Sequence, residues 1–359
     1  MKRLESVSVW QLFQHPTKAL RRWWRKPSVK SEFIERGFFV MIAVICGYII
    51  ASTNIVTTIV QVVTRSNMAQ TAIQQQAVTI TPTTTESSSH QQFSSTPSWS
   101  QDFRTKNSGV PDPKYWNTLV GPALNSNNEQ QYYSNNPENL RVENGALRFI
   151  ATNSSQLSGY KYGSARLETE GKMSFLYGRF DITAKLPKGV GTWPALWLLP
   201  ADHTYASLSP EGNPKHYKNG GEIDIIEAVG SDQNTNYGIA HTVSDVLLRS
   251  DGTGSYAKVS VPNSTEKFHT YSLLWTPTSL TFEVDAVAYY TYTRQKGSDY
   301  QTWPFDQPFY LIANLAIGGT WGAMDKSRFA SGIDDSALPA SFDIQSIMYY
   351  AYIGSTAVE

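Results

Sequence analysis

Three acidic residues within one short apolar segment have the clearest chemical potential in this sequence. Residues 220–230 read GGEIDIIEAVG and place Glu222, Asp224 and Glu227 on one predicted β-strand. Because side chains alternate along a regular strand, Glu222 and Asp224 share a face and Glu227 points the other way. A one-residue β-bulge at Ile225–Ile226 would return Glu227 to that face. The spacing therefore predicts a bulged strand with three carboxylates on one side.

Two glutamates in this arrangement could cleave a glycosidic bond. With the bulge, Glu222 and Glu227 lie about four strand steps apart, roughly 13 Å between their Cα atoms. Their side chains could then bring the carboxyl groups to about 5–5.5 Å, the spacing found in retaining glycosidases. Asp224, between them, would hold a proton or a hydrogen bond and help to separate their pKa values. The three acids could equally bind Ca²⁺ or Mg²⁺, and by themselves they leave both interpretations open.

Two tryptophans lie just upstream of the acidic strand. The segment TWPALWLLP carries Trp193 and Trp197. The face of a tryptophan ring can stack on a sugar ring, although tryptophan is also a common component of buried cores. The pair therefore shifts the balance from metal binding toward chemistry on a carbohydrate.

The segments around these residues are typical of β-strands. Short alternating or β-rich runs recur from about Trp99 to Ile353, separated by turn signals, and no helical periodicity of useful length occurs. Asn144-Gly145, inside one such run, predicts a hairpin turn. Other strand-like runs are Phe175–Leu186, His269–Thr276, Ser279–Thr293 and Pro308–Ile317. The pattern predicts a single all-β sandwich of about 250 residues.

Composition excludes several other classes of protein. The 359 residues carry 30 Lys and Arg against 30 Asp and Glu, without the basic excess of an obligate nucleic-acid binder. Ten Trp, twenty Tyr and fifteen Phe supply ample core material and exclude a wholly disordered chain. A single cysteine, Cys46, excludes an intrachain disulfide framework and zinc sites built from two or four cysteines.

The N-terminal region has the pattern of a membrane anchor. Residues 1–36 hold nine Lys or Arg and three Glu, and no charged residue occurs in the 28 positions from Gly37 to Thr64. A helix needs roughly 20 apolar residues to cross a bilayer. Because basic residues stay on the cytoplasmic side, the sequence predicts a cytoplasmic segment at 1–36 and a transmembrane signal anchor at 37–63, with the rest extracellular. The alternative is a cleaved signal peptide and a secreted product.

A polar linker separates the predicted span from the folded part. Ser, Thr and Gln dominate residues 64–98, where Arg65 and Glu86 are the only charged residues. Such a composition buries too little apolar surface to fold. The sequence therefore predicts a disordered stalk at 64–98 and a folded domain at 99–354.

The predicted domain resembles glycoside hydrolase family 16, and in particular its laminarinase-like retaining endo-β-glucanases. The resemblance runs from about Trp99 to Tyr352. It is carried by Asn127–Leu147, Tyr162–Pro200, the E-x-D-x-x-E segment at 222–227, Tyr237–Thr242, Phe268–Asp285 and Trp303–Trp321. It implies a concanavalin A-like β-jelly-roll of two curved antiparallel sheets, with the substrate cleft along the concave face.

The resemblance also implies roles for individual residues. Glu222 is expected to be the nucleophile, Glu227 the general acid/base and Asp224 the assisting carboxylate. The expected substrate-binding residues are Trp193, Trp197, Arg166, His241, Asn128 and Gln307. The tryptophans would contact the sugars before the cleaved bond, Arg166 would donate to a sugar hydroxyl, and Asn128 and Gln307 would border the cleft. His241 would either face the leaving group or be a structural histidine.

Some relatives hold a structural calcium ion, and two acids stand at matching positions. Asp343 keeps the acidic position in the last predicted strand, whereas Asp102 stands where many relatives have Glu. Carboxylate oxygens are common calcium ligands, so these two residues are the candidate ligands of a structural calcium. No organic cofactor is implied.

The spacing within the acidic segment also indicates a substrate. Relatives that cut mixed-linkage glucan have one residue between the aspartate and the second glutamate, whereas two stand here. Within the family the longer spacing goes with β-1,3-glucanases and with agar and carrageenan enzymes. Sulfated galactans would favour clustered arginines, and Arg104, Arg166 and Arg179 form no cluster in the sequence.

The resemblance therefore predicts an endo-acting hydrolase of β-1,3-glucan. Its partners would be this polysaccharide and, through the N-terminal helix, the lipid bilayer, with no nucleic acid. Three alternatives remain: a glucan transglycosylase, a galactan hydrolase of the same family, and a non-catalytic glycan-binding module. The last would be expected to lack one of the two glutamates, and both are present.

Overall fold

The computed structural model describes residues 78–79, 91–123, 127–153, 157, 159–202, 205, 220–242 and 255–354. All of them lie in one compact unit, Ala72–Glu359. Over these ranges, no helix has the length and apolar character needed to cross a bilayer. The predicted cytoplasmic segment 1–36 and signal anchor 37–63 lie outside the described residues and stay predictions.

In these ranges strands dominate, the only α-helix is the short α1 (Gly319–Gly322), and a 3₁₀ turn occurs at Asp335–Ala337. In chain order the strands are β1 (Val78–Thr79), β2 (Trp99–Asp102), β3 (Ser108–Gly109), β4 (Asn117–Thr118), β5 (Gly121–Pro122), β6 (Gln131–Tyr133), β7 (Leu140–Glu143), β8 (Ala146–Ala151), β9 (Tyr162–Ser164), β10 (Arg166–Glu168), β11 (Gly178–Lys185), β12 (Thr192–Pro200), β13 (Glu222–Glu227), β14 (Thr235–His241), β15 (Tyr256–Ser260), β16 (His269–Trp275), β17 (Ser279–Val284), β18 (Val287–Thr293), β19 (Phe309–Ile317) and β20 (Ala340–Tyr350).

The described strands form two large sheets and one small one. The front sheet has the order β1-β15-β14-β13-β12-β19-β10-β4. The back sheet has the order β18-β17-β16-β11-β20-β8-β7-β3, with β2 also paired to β20. β5, β6 and β9 make the small sheet. Pairing is antiparallel in both large sheets except between β1 and β15.

The two large sheets pack face to face over one hydrophobic core. In β12, Leu196 and Leu198 belong to this core, whereas Trp193 and Trp197 belong to separate small clusters. The side of the front sheet that is turned away from the core is called the outer face below. In the back sheet, β11 alternates buried and partly exposed residues along its full length, as a strand with one face on a core should. The prediction of an all-β sandwich of antiparallel sheets is confirmed.

The hairpin at Asn144-Gly145 forms as predicted. β7 and β8 pair antiparallel, with Glu143 opposite Ala146 across the turn. Asn144 and Gly145 have φ values of 52° and 79°, the left-handed conformation that both central residues of a type I′ turn require. Because Asn and Gly adopt this conformation at low cost, these two residues set the register of the hairpin.

The folded domain begins before the predicted boundary at residue 99. Phe93 is only 4% exposed, and its ring packs edge-on against Tyr352 with 5.9 Å between ring centroids. The Ser94 N–H donates to the Ala351 carbonyl at 2.8 Å, and β1, also in the predicted stalk, pairs with β15. The prediction of a disordered stalk is therefore wrong at these residues. Phe93 gives the polar segment an apolar side chain to bury.

Candidate active site

The bulge in β13 lies where the two consecutive isoleucines predict it. Leu196 of β12 opposes Ile226, and the next residue of β12, Trp197, opposes Asp224. Ile225 is therefore the extra, unmatched residue of a β-bulge. Ile225 and Ile226 both lie in the hydrophobic core, so the bulge is held in place by the burial of two apolar side chains.

The bulge brings the three acids to the outer face. Residues that oppose each other on neighbouring strands share a face, and Ala195 opposes Glu227 while Trp197 opposes Asp224. Ala195 and Trp197 stand two positions apart in a strand that keeps a regular register with β19. They therefore point to the same side, as do their two acidic partners. Glu222, two positions before Asp224, completes the predicted group.

His241 of β14 lies directly opposite Glu222 in the sheet. Its Nε2 atom is 3.8 Å from Glu222 Oε1 and 3.4 Å from Asp224 Oδ2. The Asp224 side chain is only 3% exposed, against 19% for Glu222. Burial, followed by the charges of Glu222 and Glu227, raises the pKa of Asp224 well above its usual range. Burial and the acidic neighbours therefore favour the protonated form of Asp224, which limits the repulsion among the three acids.

The two glutamates differ in what surrounds them. Burial raises the pKa of Glu222, and the charges of His241 and Arg166 oppose the rise. Burial raises the pKa of Glu227 to about 7, although His241 and a 2.9 Å hydrogen bond from Trp193 Nε1 act in the opposite direction. Of the two, Glu222 has the second cationic neighbour that favours the carboxylate, and Glu227 is suited to give and take a proton near neutral pH.

Aromatic and polar side chains of β12, β19 and β10 contact one another beside the acids. Trp197 Nε1 donates to Asn314 Oδ1 at 2.8 Å. The Arg166 guanidinium lies over the Trp197 ring, 5.1 Å from its centroid, and pairs with Glu168 at 3.4 Å. Arg166 also opposes Asn314 in the sheet. The structure therefore brings two predicted binding residues, Trp197 and Arg166, into one rigid group.

A second aromatic group lies beside Glu227. Trp193 contacts Trp321 edge-on at 5.6 Å between centroids, and Trp321 contacts Tyr237 in the same manner at 4.9 Å. Tyr237 in turn donates to Asp232 Oδ2 at 2.7 Å. Sequence reasoning found Trp193 and missed Trp321 and Tyr237. The residues GGTW after β19, with glycines at positive φ, were the available signal of a tryptophan presented by a tight turn.

Two other predicted residues, Asn128 and Gln307, lie on segments that flank the strands of the acidic group. Asn128 is exposed, with φ of 58°, on a loop whose Asn127 carbonyl accepts from Thr320 N–H at 2.7 Å. This loop therefore runs beside α1. Gln307 does not border the outer face: it is 2% exposed and its Nε2 donates to the carbonyls of Gly220 and Pro304. The prediction of a cleft-lining glutamine is wrong, because this amide satisfies backbone groups where the chain enters β13.

Two groups of acidic side chains have the chemistry of metal ligands. Glu222, Asp224 and His241 each offer a ligand atom, and these atoms all lie within 4.8 Å of one another. Asp343 is paired with Arg148 at 3.1 Å and Lys185 at 3.1 Å, and Asp102 is paired with Arg104. Calcium prefers an all-oxygen shell, so Asp343, already paired with two cationic side chains, does not fit this ion, and Asp102 lies in an exposed ion pair with Arg104.

Comparison with known proteins places this geometry in a class of enzymes. Residues 127–331 match glycosyl hydrolases family 16. A curated relative, the Beta-glucanase of Rhodothermus marinus, is 39% identical over 260 residues, which cover 71% of this chain and 85% of the relative. The jelly-roll-like sandwich and its acidic strand are thus those of a glycoside hydrolase. The chain belongs to glycosyl hydrolases family 16.

Solved structures agree with this assignment. The laminarinase from Rhodothermus marinus is 37% identical and superposes with a TM-score of 0.62, covering 72% of this chain and 98% of that protein. A mutant of SCLam, a non-specific endo-beta-1,3(4)-glucanase, is 32% identical with a TM-score of 0.62, covering 75% of this chain and 97% of that protein. The latter holds 1,3-beta-D-cellobiosyl-glucose at its active site.

Proposed function

We propose that this domain hydrolyses internal β-1,3 bonds of a glucan by double displacement, with retention of configuration. The observation that carries the proposal is the bulge that presents Glu222 and Glu227 on one face, with the pKa of Glu227 at about 7. The relatives named as a beta-glucanase and a laminarinase support the substrate class. The two-residue spacing between Asp224 and Glu227 and the Trp193/Trp197 pair also support it.

In the first step Glu222 attacks the anomeric carbon with a carboxylate oxygen. The bond from that carbon to the glycosidic oxygen breaks, and Glu227 transfers its proton to the leaving oxygen. His241 and Arg166 favour the ionised form of Glu222, while burial keeps Glu227 protonated up to about pH 7. The products are a glycosyl ester on Glu222 and the shortened glucan with a free hydroxyl.

In the second step Glu227, now ionised, removes a proton from water. The resulting oxygen attacks the same carbon, the ester bond to Glu222 breaks, and the carboxylate is regenerated. Burial and the two neighbouring glutamates favour the protonated form of Asp224, which can then donate its O–H to the departing carboxylate of Glu222. The net reaction consumes one glycosidic bond and one water molecule.

The substrate is tested by incubating the domain with laminarin, lichenan, agarose and carrageenan side by side. Reducing-end release should be fastest on laminarin, with lichenan a weaker substrate, and sizing should show products of intermediate length. Faster cleavage of a galactan would overturn the substrate class. Products longer than the substrate would show glycosyl transfer in place of hydrolysis.

We also propose that the chain is held in a cell membrane by residues 37–63, with the catalytic domain outside. The support is the uncharged stretch from Gly37 to Thr64 behind a basic segment. In fractionated cells the full-length chain should require detergent for release. Recovery of the intact chain in the soluble fraction would overturn the anchor, and a shortened soluble form would indicate cleavage and secretion.

A further inference from the structure

The bulge that presents Glu227 also interrupts the pairing of β13 with β14. Backbone pairing between these strands runs from Glu222 opposite His241 to Asp224 opposite Ile239, and ends there. The last half of β13, which carries the acid/base glutamate, therefore has no regular ladder on its β14 side. Buried backbone groups that lose a ladder partner require another one.

One side chain takes the place of the missing ladder. Asn236 of β14 is completely buried, at 0% exposure. Its Oδ1 accepts from the Glu227 N–H at 3.3 Å, and its Nδ2 donates to the Ile225 carbonyl at 3.2 Å. The two bonds define the orientation of the amide, because a flipped amide would set donor against donor and acceptor against acceptor.

The same amide is held from the opposite sheet. Asn236 Nδ2 also donates to the hydroxyl of Tyr289, at 3.1 Å, on strand β18 at the edge of the back sheet. Gly238, two positions along β14, allows this approach: a Cβ atom there would lie 2.5 Å from the Tyr289 hydroxyl oxygen. The bulge is thus tied through one amide to a strand outside its own sheet.

We propose that Asn236, supported by Tyr289, is a positioning residue that holds the backbone of Glu227 so that its carboxyl group reaches the leaving oxygen. The inference rests on the proposed function, since it concerns how the acid step is performed. Asn236 does not touch the outer face, where substrate binds. It acts through the main chain of residues 225–227, and Trp193 acts separately on the side chain of Glu227.

The consequence is specific to proton transfer. A backbone shift of about 1 Å at a catalytic group can cost roughly 100-fold in rate, and general acid catalysis contributes about 10²–10⁴-fold. Loss of the Asn236 amide should therefore slow cleavage wherever the leaving group needs a proton. It should matter little for a leaving group that departs as a stable anion.

The experiment compares Asn236→Val with wild type on laminarin and on a 2,4-dinitrophenyl laminari-oligosaccharide. The variant should lower kcat on laminarin by about 10–100-fold with KM within about threefold. The burst of dinitrophenol, which reports glycosylation alone, should change by less than about threefold. Asn236→Thr, which keeps a hydroxyl in a side chain of the same shape, should recover part of the loss.

Asn139→Val is the matched control, since Asn139 is a buried amide that donates to the Ile150 carbonyl at 3.0 Å in the back sheet. It should lower the melting temperature and leave both rates per folded molecule unchanged. Tyr289→Phe removes one hydroxyl only and should reproduce the leaving-group dependence at reduced size, even if Asn236→Val fails to fold.

Equal losses on both substrates, or no loss on either, in Asn236→Val and Tyr289→Phe would overturn the positioning role. A wild-type domain that does not cleave laminarin would instead overturn the proposed function, so the two failures are distinguishable.

Discussion

Two aspartates, Asp224 and Asp343, are similarly buried, but the cost of burying their carboxyl groups is offset in different ways. Asp224 lies on the front sheet with its side chain 3% exposed, between Glu222 and Glu227. Asp343 lies on the back sheet with its side chain 7% exposed, and Arg148 and Lys185 bind its two oxygens. A buried carboxylate is costly unless it is paired or neutralised. Two cationic side chains pair with Asp343, whereas burial and acidic neighbours favour the protonated form of Asp224.

The difference suits Asp343 to a structural role in the back sheet and Asp224 to a chemical role in the front sheet. At Asp343 the ion pairs and the Ser341 hydroxyl satisfy the charge, so the group has nothing left to offer a ligand. At Asp224 the neighbours are two acids and His241, so the protonation of the group can change when substrate or water arrives. Four expected outcomes test this contrast, beginning with the largest.

The glutamates on either side of Asp224 should be essential. Glu222→Gln and Glu227→Gln should each lower kcat on laminarin by about 10³-fold or more, because each removes a group that reacts in both steps. Reducing-end release measures the loss, and circular dichroism should show an unchanged fold. Azide should rescue each variant, giving an inverted product for Glu222→Gln and a retained product for Glu227→Gln. Near-wild-type turnover in either would refute the assignment.

Asp224→Asn should cost roughly 100-fold in kcat, with little change in KM. The amide keeps the shape and neutrality of the protonated acid, but it cannot exchange a proton with Glu222. Because no buried charge is created, the melting temperature should stay the same or rise. A loss of stability at full activity would show that Asp224 is structural, like Asp343.

The pH dependence follows from the pKa of about 7 at Glu227. The first step needs this group protonated, so kcat/KM should fall about tenfold per pH unit above that value. Well below pH 7 Glu227 is fully protonated, so its titration should no longer change kcat/KM. Glu227→Gln assayed on a substrate with a dinitrophenyl leaving group should lose the limb. An alkaline limb that persists there belongs to another group.

The smallest effect on activity should come from Asp343→Asn. Removing the charge leaves Arg148 and Lys185 without their shared carboxylate, and the partial exposure of both limits the cost to about 1–3 kcal/mol of unfolding free energy. Denaturant titration measures it, and kcat per folded molecule should be unchanged. Added calcium should not restore the lost stability of this variant. A calcium-dependent rise in the wild-type melting temperature would contradict the contrast.

Local pattern was sufficient to predict the strands and the acids. The period of two, broken once by Ile225–Ile226, identifies both the face and the bulge, since both isoleucines must be buried. Asn144-Gly145 identifies a hairpin for the same reason: the information lies in neighbouring residues. The early start of the domain was missed because one phenylalanine, Phe93, packs on Tyr352, which is distant in sequence.

The residue pattern of β14 is misleading, and this explains why the sequence did not identify Asn236 and Tyr237 as functional residues. Residues 235–241 read TNYGIAH, with Tyr237 and Ile239 on the outer face and Asn236 in the interior. A polar residue inside and apolar residues outside reverse the usual alternation of a strand. The reversal has a physical cause on each side of the strand. In the interior, the bulge needs the Asn236 amide as a hydrogen-bond partner, and on the outer face, apolar side chains are available to a ligand. Such a conflict between pattern and fold is expected at a functional strand.

The meeting of Phe93 with Tyr352 carries a consequence for how the domain can be joined to other chains. Ser94 N–H donates to the Ala351 carbonyl and Ile353 N–H donates to the Gln92 carbonyl, so residues 92–94 and 351–353 run side by side as an antiparallel pair. Neighbouring ends allow a domain to be inserted into a surface loop of a host protein, or closed by a short peptide and reopened elsewhere. Residues 92–94 and 351–353 thus offer one place at which the domain can be joined to another chain.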